Sequence, residues 1–219
     1  MRFSLDRGYR DFFLDNGYIE FEDLFSIKDI EIIDEVSDQI VMKRMGLTPT
    51  DFRRESPQNK NKYARDIWRD SKEVKRIVCR SSTAEIAGEL IHKRPLRLAY
   101  DQLFDYQNFP EGKTLNEVTA LQGLLCAWII CIESPSEKDP DAEKGILPIE
   151  RSSAIFINAD HPLSFADSPP FGRYFVIAYA QDRAIYLFNE DDPHAHYLKT
   201  LNYNYGDSLR HQTHPVIYR

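Results

Sequence analysis

Asp191, Asp192, His194 and His196 form the densest group of metal-capable side chains in the sequence. In an extended strand, His194 and His196 would project to the same side, as a metal pair requires. Pro193 and the aspartate pair mark a turn, so a solvated loop is the expected role and a zinc or nickel site the alternative. His211 and His214 stand three apart, and Pro215 forbids a continuing helix. They read as a loop feeding a last strand, Val216 to Tyr218. Cys79, Cys126 and Cys131 lie in apolar or amphipathic stretches without a C-x-x-C pair, the pattern of reduced core thiols in a cytosolic, or cytoplasmic, protein. Cys126 and Cys131, five apart in one apolar strand, are expected on opposite faces of a sheet. Tyr100, Tyr106, Tyr174, Tyr179, Tyr186, Tyr203, Tyr205 and Tyr218 are available to line a pocket and bond a carboxylate, or to edge the core with their amphipathic rings. The signatures G-x-S-x-G, G-x-x-x-x-G-K-[ST] and G-x-G-x-x-G do not occur, which removes sequence support for the common hydrolase, P-loop and Rossmann classes.

The 219 residues carry a formal net charge of −7, which argues against a general nucleic-acid binder. The charge is uneven. Arg53 to Arg80 holds ten Lys/Arg against four Asp/Glu. This segment reads as a solvated helix-and-loop surface, or alternatively as a patch facing an anionic substrate or partner. The longest nearly apolar run, Leu121 to Ile132, is far shorter than the ~20 residues that span a bilayer. The N-terminal residues show no apolar stretch of the kind a secretory signal needs, so neither membrane insertion nor secretion is expected.

The elements that must position these groups change character along the chain. Tyr9 to Asn16 reads as a helix stopped by Gly17, and Tyr18 to Phe21 as a short strand. Ser26 with Asp29 forms a capping-box variant opening a helix with Ile27, Ile30, Ile33, Ile40 and Val41 on its apolar stripe, ended by Gly46. Leu47 to Tyr63, polar and holding Pro49 and Pro57, reads as a loop. Ser71 opens a further helix with Val74, Ile77 and Val78. Ser82 and Glu85 form a second capping box leading into Ile86, Leu90 and Ile91, and Pro95 closes that helix. After Pro95 come short apolar runs at Leu96 to Leu103 and Leu121 to Ile132. β-branched and aromatic runs follow at Ala154 to Ile157, Tyr174 to Ala180 and Ala184 to Phe188. Glu133 to Gly145 is a polar, acidic insertion expected to be a disordered loop. One domain over 1–219 is expected, helical in 1–95 and β-rich in 96–219, giving an α+β class with helices buttressing an antiparallel sandwich or barrel.

Several blocks in order resemble the phytanoyl-CoA dioxygenase-like group of iron(II)/2-oxoglutarate oxygenases. Phe12, Phe13, Asn16, Gly17, Tyr18, Ile19 and Leu24 resemble that family's entry motif. Asp101, Gln102, Leu103 and Phe104, then Pro110, Glu111, Gly112 and Thr114, resemble the strand and turn before its His-x-Asp ligands. Ala127, Trp128, Ile129 and Ile130 resemble its next core strand. The resemblance implies N-terminal helices packed on a double-stranded β-helix, a jelly-roll or cupin-like body, with iron(II) and 2-oxoglutarate as cofactors and a small carboxylate or acyl compound as substrate. Iron(II) in such a site takes two histidines and one carboxylate, and the co-substrate's far carboxylate takes a basic anchor such as arginine.

Carried onto this sequence, the His-x-Asp positions fall on Leu115, Asn116 and Glu117, the distal histidine on His161 and the arginine on Arg173. The resemblance therefore implies metal ligands at Glu117 and His161 and co-substrate binding at Arg173, with one histidine replaced by a leucine that has no lone pair to donate. Asp160 is placed to orient His161 or compete for the metal; equally, Asn158 to Pro162 has the composition of a plain turn. Three readings stay open: weak metal binding, a histidine arriving from elsewhere, or a pseudoenzyme that keeps the fold without the metal. A non-catalytic module binding a small acid or a protein partner on the same scaffold is the competing function.

Overall fold

The computed structural model describes residues 6–108, 110–134, 145–163 and 172–219. Most of the polar insertion expected to be disordered, 135–144, lies outside the described residues. Helix α1 (Arg7–Asn16) ends on Gly17 at φ +76°, and β1 (Tyr18–Phe21) follows at once. Helix α2 (Ile27–Met45) begins with the expected reciprocal cap. The Ser26 hydroxyl accepts from the Asp29 amide, the Asp29 carboxylate accepts from the Ser26 amide, and Gly46 closes the far end.

The stretch expected as a loop contains two short helices instead, α3 (Pro49–Arg54) and α4 (Pro57–Asn61). Each follows an N-cap hydroxyl, Thr48 or Ser56, and starts on a proline. Proline at the first helical position is preorganised for a helix and lacks an N–H that would be unpaired there. These prolines open helices; they do not mark a coil. Helix α5 (Lys72–Val78) is capped by Ser71 as expected. Helix α6 (Ser81–Ile91) starts earlier than expected, with Arg80 at its N-cap and no side-chain cap, so Ser82 and Glu85 lie inside the helix. It ends on His92 in a left-handed conformation, ahead of Pro95.

Strands β2 (Leu96–Asp105), β3 (Leu121–Glu133), β4 (Ala154–Asn158), β5 (Arg173–Tyr186) and β6 (Val216–Tyr218) complete the regular structure. With β1 they form one antiparallel six-stranded sheet in the order β1-β4-β3-β5-β2-β6. The runs at 174–180 and 184–188 were expected as separate strands. They are largely one, because exposed Gln181, Asp182 and Arg183 continue the extended backbone between them. The short strand expected at Tyr18 to Phe21 forms as β1 and supplies an edge of the sheet.

Alternation along these strands sorts the core into two layers. Phe175, Ile177 and Tyr179 of β5, Trp128 and Ile130 of β3 and Phe156 of β4 face α2, α5 and α6, meeting Ile30, Ile33, Val74, Ile77 and Leu90. Tyr174, Val176 and Ala178 of β5, Ala127, Ile129 and Cys131 of β3 and Ile155 and Ile157 of β4 face the other way. Cys126 and Cys131 are accordingly buried in different layers, as expected from their spacing. The second face is covered by irregular segments carrying Leu115, Leu163, Leu198, Tyr203 and Leu209. These segments are stitched by backbone bonds. Gly112 N donates to Leu163 O (2.6 Å), Leu163 N to Lys113 O (2.9 Å) and Asn116 N to Ala159 O (3.2 Å), an antiparallel pairing of 112–116 with 159–163.

Trp128 anchors the helix-side layer. It is fully buried, its ring meets Phe156 (4.9 Å between centroids), Phe21 (5.3 Å) and Phe25 (6.3 Å), and its indole N–H donates to Thr83 O at 3.3 Å. Trp128→Ala is expected to cost about 3–5 kcal/mol of unfolding free energy, read as a lower urea midpoint. A loss under about 1 kcal/mol would mean that this cluster is not what joins helices to sheet.

Candidate functional site

The 112–116/159–163 pairing puts the segment leading to Glu117 beside the one bearing His161, but their side chains do not converge. Leu115 is buried in the same apolar layer as Ala159 and Leu163. Glu117 is exposed and turns back on its own turn, its carboxylate accepting from Thr114 N at 2.6 Å; that bond holds its pKa below the usual range. The His161 ring packs toward α1 and β1. It lies 5.5 Å from the Tyr18 ring, and a Cβ at Gly17 would stand 2.7 Å from its Nδ1. Desolvation lowers the His161 pKa. Gly17 thus serves twice, as a left-handed helix stop and as room for the imidazole. Asp160 does not orient His161: its carboxylate accepts from Asn116 Nδ2 at 2.6 Å, and Asp160 N donates to Asn158 Oδ1 in a local turn.

Arg173 is far from both. It lies opposite Glu133 on β3, whereas the His161 segment joins β3 at Leu125, where Ala159 N donates to Leu125 O. Eight residues of strand at roughly 3.4 Å each separate those points, about 27 Å. Parity also turns Arg173 toward the helices, on the side of Phe175 and Ile177. There its guanidinium meets Asp34 Oδ1 (2.5 Å) and Asp38 Oδ1 (2.6 Å) of α2 and Asp105 Oδ1 (3.5 Å) of β2. Burial alone would lower its pKa, but the three carboxylates outweigh burial and raise it. A crevice of about 200 Å³ beside it is lined by Asp38, Phe52, Lys60 and Asp105.

A different set of polar groups does converge on the sheet's second face. Segment 64–66 pairs with β2: Asp66 N donates to Asp101 O (2.8 Å), Leu103 N to Ala64 O (3.1 Å), and Arg65 bridges Gln102. Cross-strand neighbours share a face, so Arg65 and Gln102 point the same way. Arg65 Nε donates to Gln102 Oε1 (2.9 Å), Nη1 donates to Asp192 Oδ2 (2.8 Å), and the guanidinium lies 4.5 Å over the Tyr100 ring. Asp192 also accepts from Ala120 N (2.7 Å) and His194 N (2.8 Å). Gln102 Nε2 donates to Asn61 Oδ1 (2.9 Å) and stands 3.2 Å from His194 Nε2.

The 191–194 cluster is therefore a turn, as expected, but not a solvated one. Asp192 and His194 are buried because Arg65 and two backbone amides compensate the carboxylate, while Asp191 and His196 stay outside. The basic segment is likewise partly spent inside: Arg65, Arg69 and Arg80 pair with Asp192, Asp66 and Asp29. Sequence reasoning missed Arg65 and Gln102 as site residues. The available signal was Asp101-Gln102, two polar residues inside an otherwise apolar strand. Next to this network lies a cleft of about 240 Å³ lined by Arg65, Tyr100, Phe104, Lys113, Leu115 and Val118, among others.

Burial, then the Arg65 charge, push the His194 pKa down to about 3. Burial and the charges of Arg69 and Arg97 do the same to His214, which is bonded to Tyr203 Oη at 3.0 Å. Burial alone would raise the Asp192 pKa, but Arg65 and the Ala120 and His194 amides hold it low.

The described residues do not fit iron(II) at the positions the resemblance implies. Leu115 offers no ligand atom there, Glu117 is held by Thr114 N while His161 packs against Tyr18 and Gly17, and among the described residues no three His, Cys, Asp or Glu side chains are grouped to hold a metal. No protein-family model matches the sequence, and no curated protein matches it. Solved structures do. The alpha ketoglutarate dependent carbocyclase SnoK from nogalamycin biosynthesis superposes at TM-score 0.65 and 12% identity over 96% of both chains. The epimerase SnoN, in complex with Fe3+, alpha ketoglutarate and nogalamycin RO, gives 0.56 at 13% over 96% of this chain and 97% of its own. CytC3 with Fe(II) and alpha-ketoglutarate gives 0.56 at 12%, over 84% and 80%.

The fold is that of the non-heme, alpha-ketoglutarate-dependent enzymes. At these identities the likeness is one of fold. It agrees with the fold implied by the sequence blocks and leaves the ligand set to this chain's own residues. In this oxygenase fold, the two histidines buried without charge set an acid limit. The unfolded chain binds their protons below about pH 6.5 and the folded chain does not, so stability falls as pH falls from there toward 3. The low Asp192 pKa acts in the same direction below about pH 3.9. Between pH 7 and 5 each histidine is expected to remove about 2 kcal/mol. Urea titrations of His194→Asn and His214→Asn should each show a flatter pH dependence than wild type; unchanged slopes would mean that these imidazoles titrate normally.

Proposed function

We propose that this chain is a phytanoyl-CoA dioxygenase-like protein that keeps the oxygenase scaffold, a jelly-roll body with N-terminal helices in one domain over 1–219, without the iron chemistry. It works as a non-catalytic binding module for a small molecule. The observation that carries the reading is Leu115, a hydrocarbon side chain buried where the resemblance calls for the first histidine, with the segments around it still paired in register. Arg173 supports it: the guanidinium suited to a co-substrate carboxylate is already held by three carboxylates on the sheet's other face. A lost metal ligand removes affinity outright, since even partners outside the ligand shell are worth roughly 10–100-fold. SnoN, a fold neighbour, is seen with nogalamycin RO, and a small organic ligand on the corresponding scaffold here is in keeping with that.

The test is metal binding and turnover together. Under anaerobic conditions, millimolar cobalt(II) or iron(II) should leave the melting temperature of the wild-type chain unchanged. With iron(II), ascorbate, oxygen and 2-oxoglutarate, it should release no succinate above a protein-free control. A metal-dependent rise in melting temperature, or succinate formation, overturns the reading. Leu115→His should lower stability without metal, because it buries an unpaired imidazole. Cobalt(II) should leave the melting temperature of that variant unchanged as well, since His161 packs against Gly17 and Tyr18 and Glu117 is held by Thr114 N, so neither is placed to complete a site with the new imidazole.

A further inference from the structure

We infer that the cleft between Arg65, Asn108, the 110–119 segment and the 191–193 turn binds a small monocarboxylic acid, its carboxylate on Arg65 and its apolar body against Tyr100, Phe104, Leu115 and Val118. The inference rests on the binding-module reading above and gives that module its ligand class. At about 240 Å³ the cleft falls below the roughly 300–1,000 Å³ of sites for drug-sized molecules, so the occupant is small.

Arg65 is held as a fixed plane by Gln102, Asp192 and the Tyr100 ring, and its Nη2 makes no hydrogen bond among the described residues. A guanidinium pinned on two sides loses little freedom when it receives an oxyanion on the third. On the same wall, Asn108 Nδ2 is buried and has no hydrogen-bond partner among the described residues. A buried donor left unpaired is costly, and an acceptor atom relieves that cost. The acceptors facing Arg65 are already used: Gln102 Oε1 takes Arg65, and Asn61 Oδ1 takes Gln102. Around Arg65, the unused hydrogen-bonding groups are therefore donors, which favour an acid at the buried end of the cleft, whereas the carboxylates of Glu111 and Asp191 stand at its exposed rim.

The ligand's other end is decided by the remaining lining. Phe104, Leu115 and Val118 are apolar, and the charged residues there, Glu111 and the Lys113–Asp191 pair (2.9 Å), are exposed. A second carboxylate on the ligand would meet Glu111 and Asp191. One acid group with a hydrocarbon body fits where a dicarboxylate does not. Asp192 already neutralises Arg65, so recognition comes from donor geometry more than from net charge.

The experiment is an NMR or calorimetric titration of the full chain, free of added metal, with hexanoate, hexanamide, hexylamine and 2-oxoglutarate as probes. Hexanoate should bind saturably, hexanamide more weakly, and hexylamine and 2-oxoglutarate at least tenfold more weakly than hexanoate. Asn108→Asp, which places a negative charge on the acid's wall, should weaken hexanoate at least tenfold, measured at a temperature below the melting transition of the variant. Arg65→Lys, which keeps the charge but loses the planar fork, should weaken it by roughly ten- to hundredfold. Leu115→Trp should block the cleft. No hexanoate binding, equal binding of hexylamine, or hexanoate affinity unchanged in both Asn108→Asp and Arg65→Lys overturns the inference. Because these titrations contain no iron, their failure is distinguishable from failure of the preceding reading, which appears as succinate formation.

Discussion

Side-chain parity along β5 is the constraint from which the rest of the structure follows. Successive residues of a strand point to opposite faces, and β5 is the strand that pairs with both β3 and β2 at the centre of the sheet. Once Phe175, Ile177 and Tyr179 commit to the helix layer, Tyr174, Val176 and Ala178 must face away from it, and Arg173 must face the helices. Slipping the register by one residue would send every one of these apolar groups to the wrong layer, at a cost far larger than the energy of any single ion pair. Arg173 is therefore held where the hydrophobic pattern puts it, and Asp34 and Asp38 of α2 make that placement tolerable.

The second face obeys a different economy. Its covering segments have little regular structure, so their polar backbone groups need specific partners. Asp192 accepts from two such backbone amides, Ala120 N and His194 N, and from the Arg65 guanidinium, joining segment 64–66, the residue before β3 and the 191–194 turn. A buried ion pair seldom stabilises more than well-packed hydrocarbon would, yet breaking one side of it leaves an uncompensated charge. Arg65–Asp192 is best seen as a device that sets the relative positions of three segments, and the cleft beside it inherits that precision. Asp101 works in the same way nearby: its carboxylate accepts from Ile67 N (2.9 Å) and Trp68 N (3.1 Å) and so ties the turn after Arg65 to β2.

The chain shares its fold with alpha-ketoglutarate-dependent enzymes, and at the positions that the resemblance assigns to a first histidine and a co-substrate arginine it has a buried leucine, Leu115, and an arginine paired with carboxylates, Arg173. Backbone pairing between 112–116 and 159–163 needs only amides and carbonyls and places no demand on the side chain at 115. Scaffold and ligand set are thus separable, as expected when function resides in side chains grafted onto a fold.

Much of the architecture was legible in local chemistry. Ser26 and Asp29, Gly17, Gly46 and Ser71 mark helix ends through hydrogen bonds and backbone freedoms that operate within a few residues. The apolar runs from Leu96, Leu121 and Ala154 announce strands by composition. The same local rules, applied to Thr48-Pro49 and Ser56-Pro57, account for the two helices that a loop reading overlooked. The resemblance blocks aligned Leu115, Glu117, His161 and Arg173 in order, but order along a chain carries no information about which face a side chain takes or what meets it there. That was decided by packing across long sequence separations: Arg65 finds Asp192 over 127 residues and Arg173 finds Asp34 over 139. Electrostatic partners of this kind become visible only when the sheet brings them within hydrogen-bond reach, because Coulomb and hydrogen-bond energies depend on distance in space and not on position in sequence.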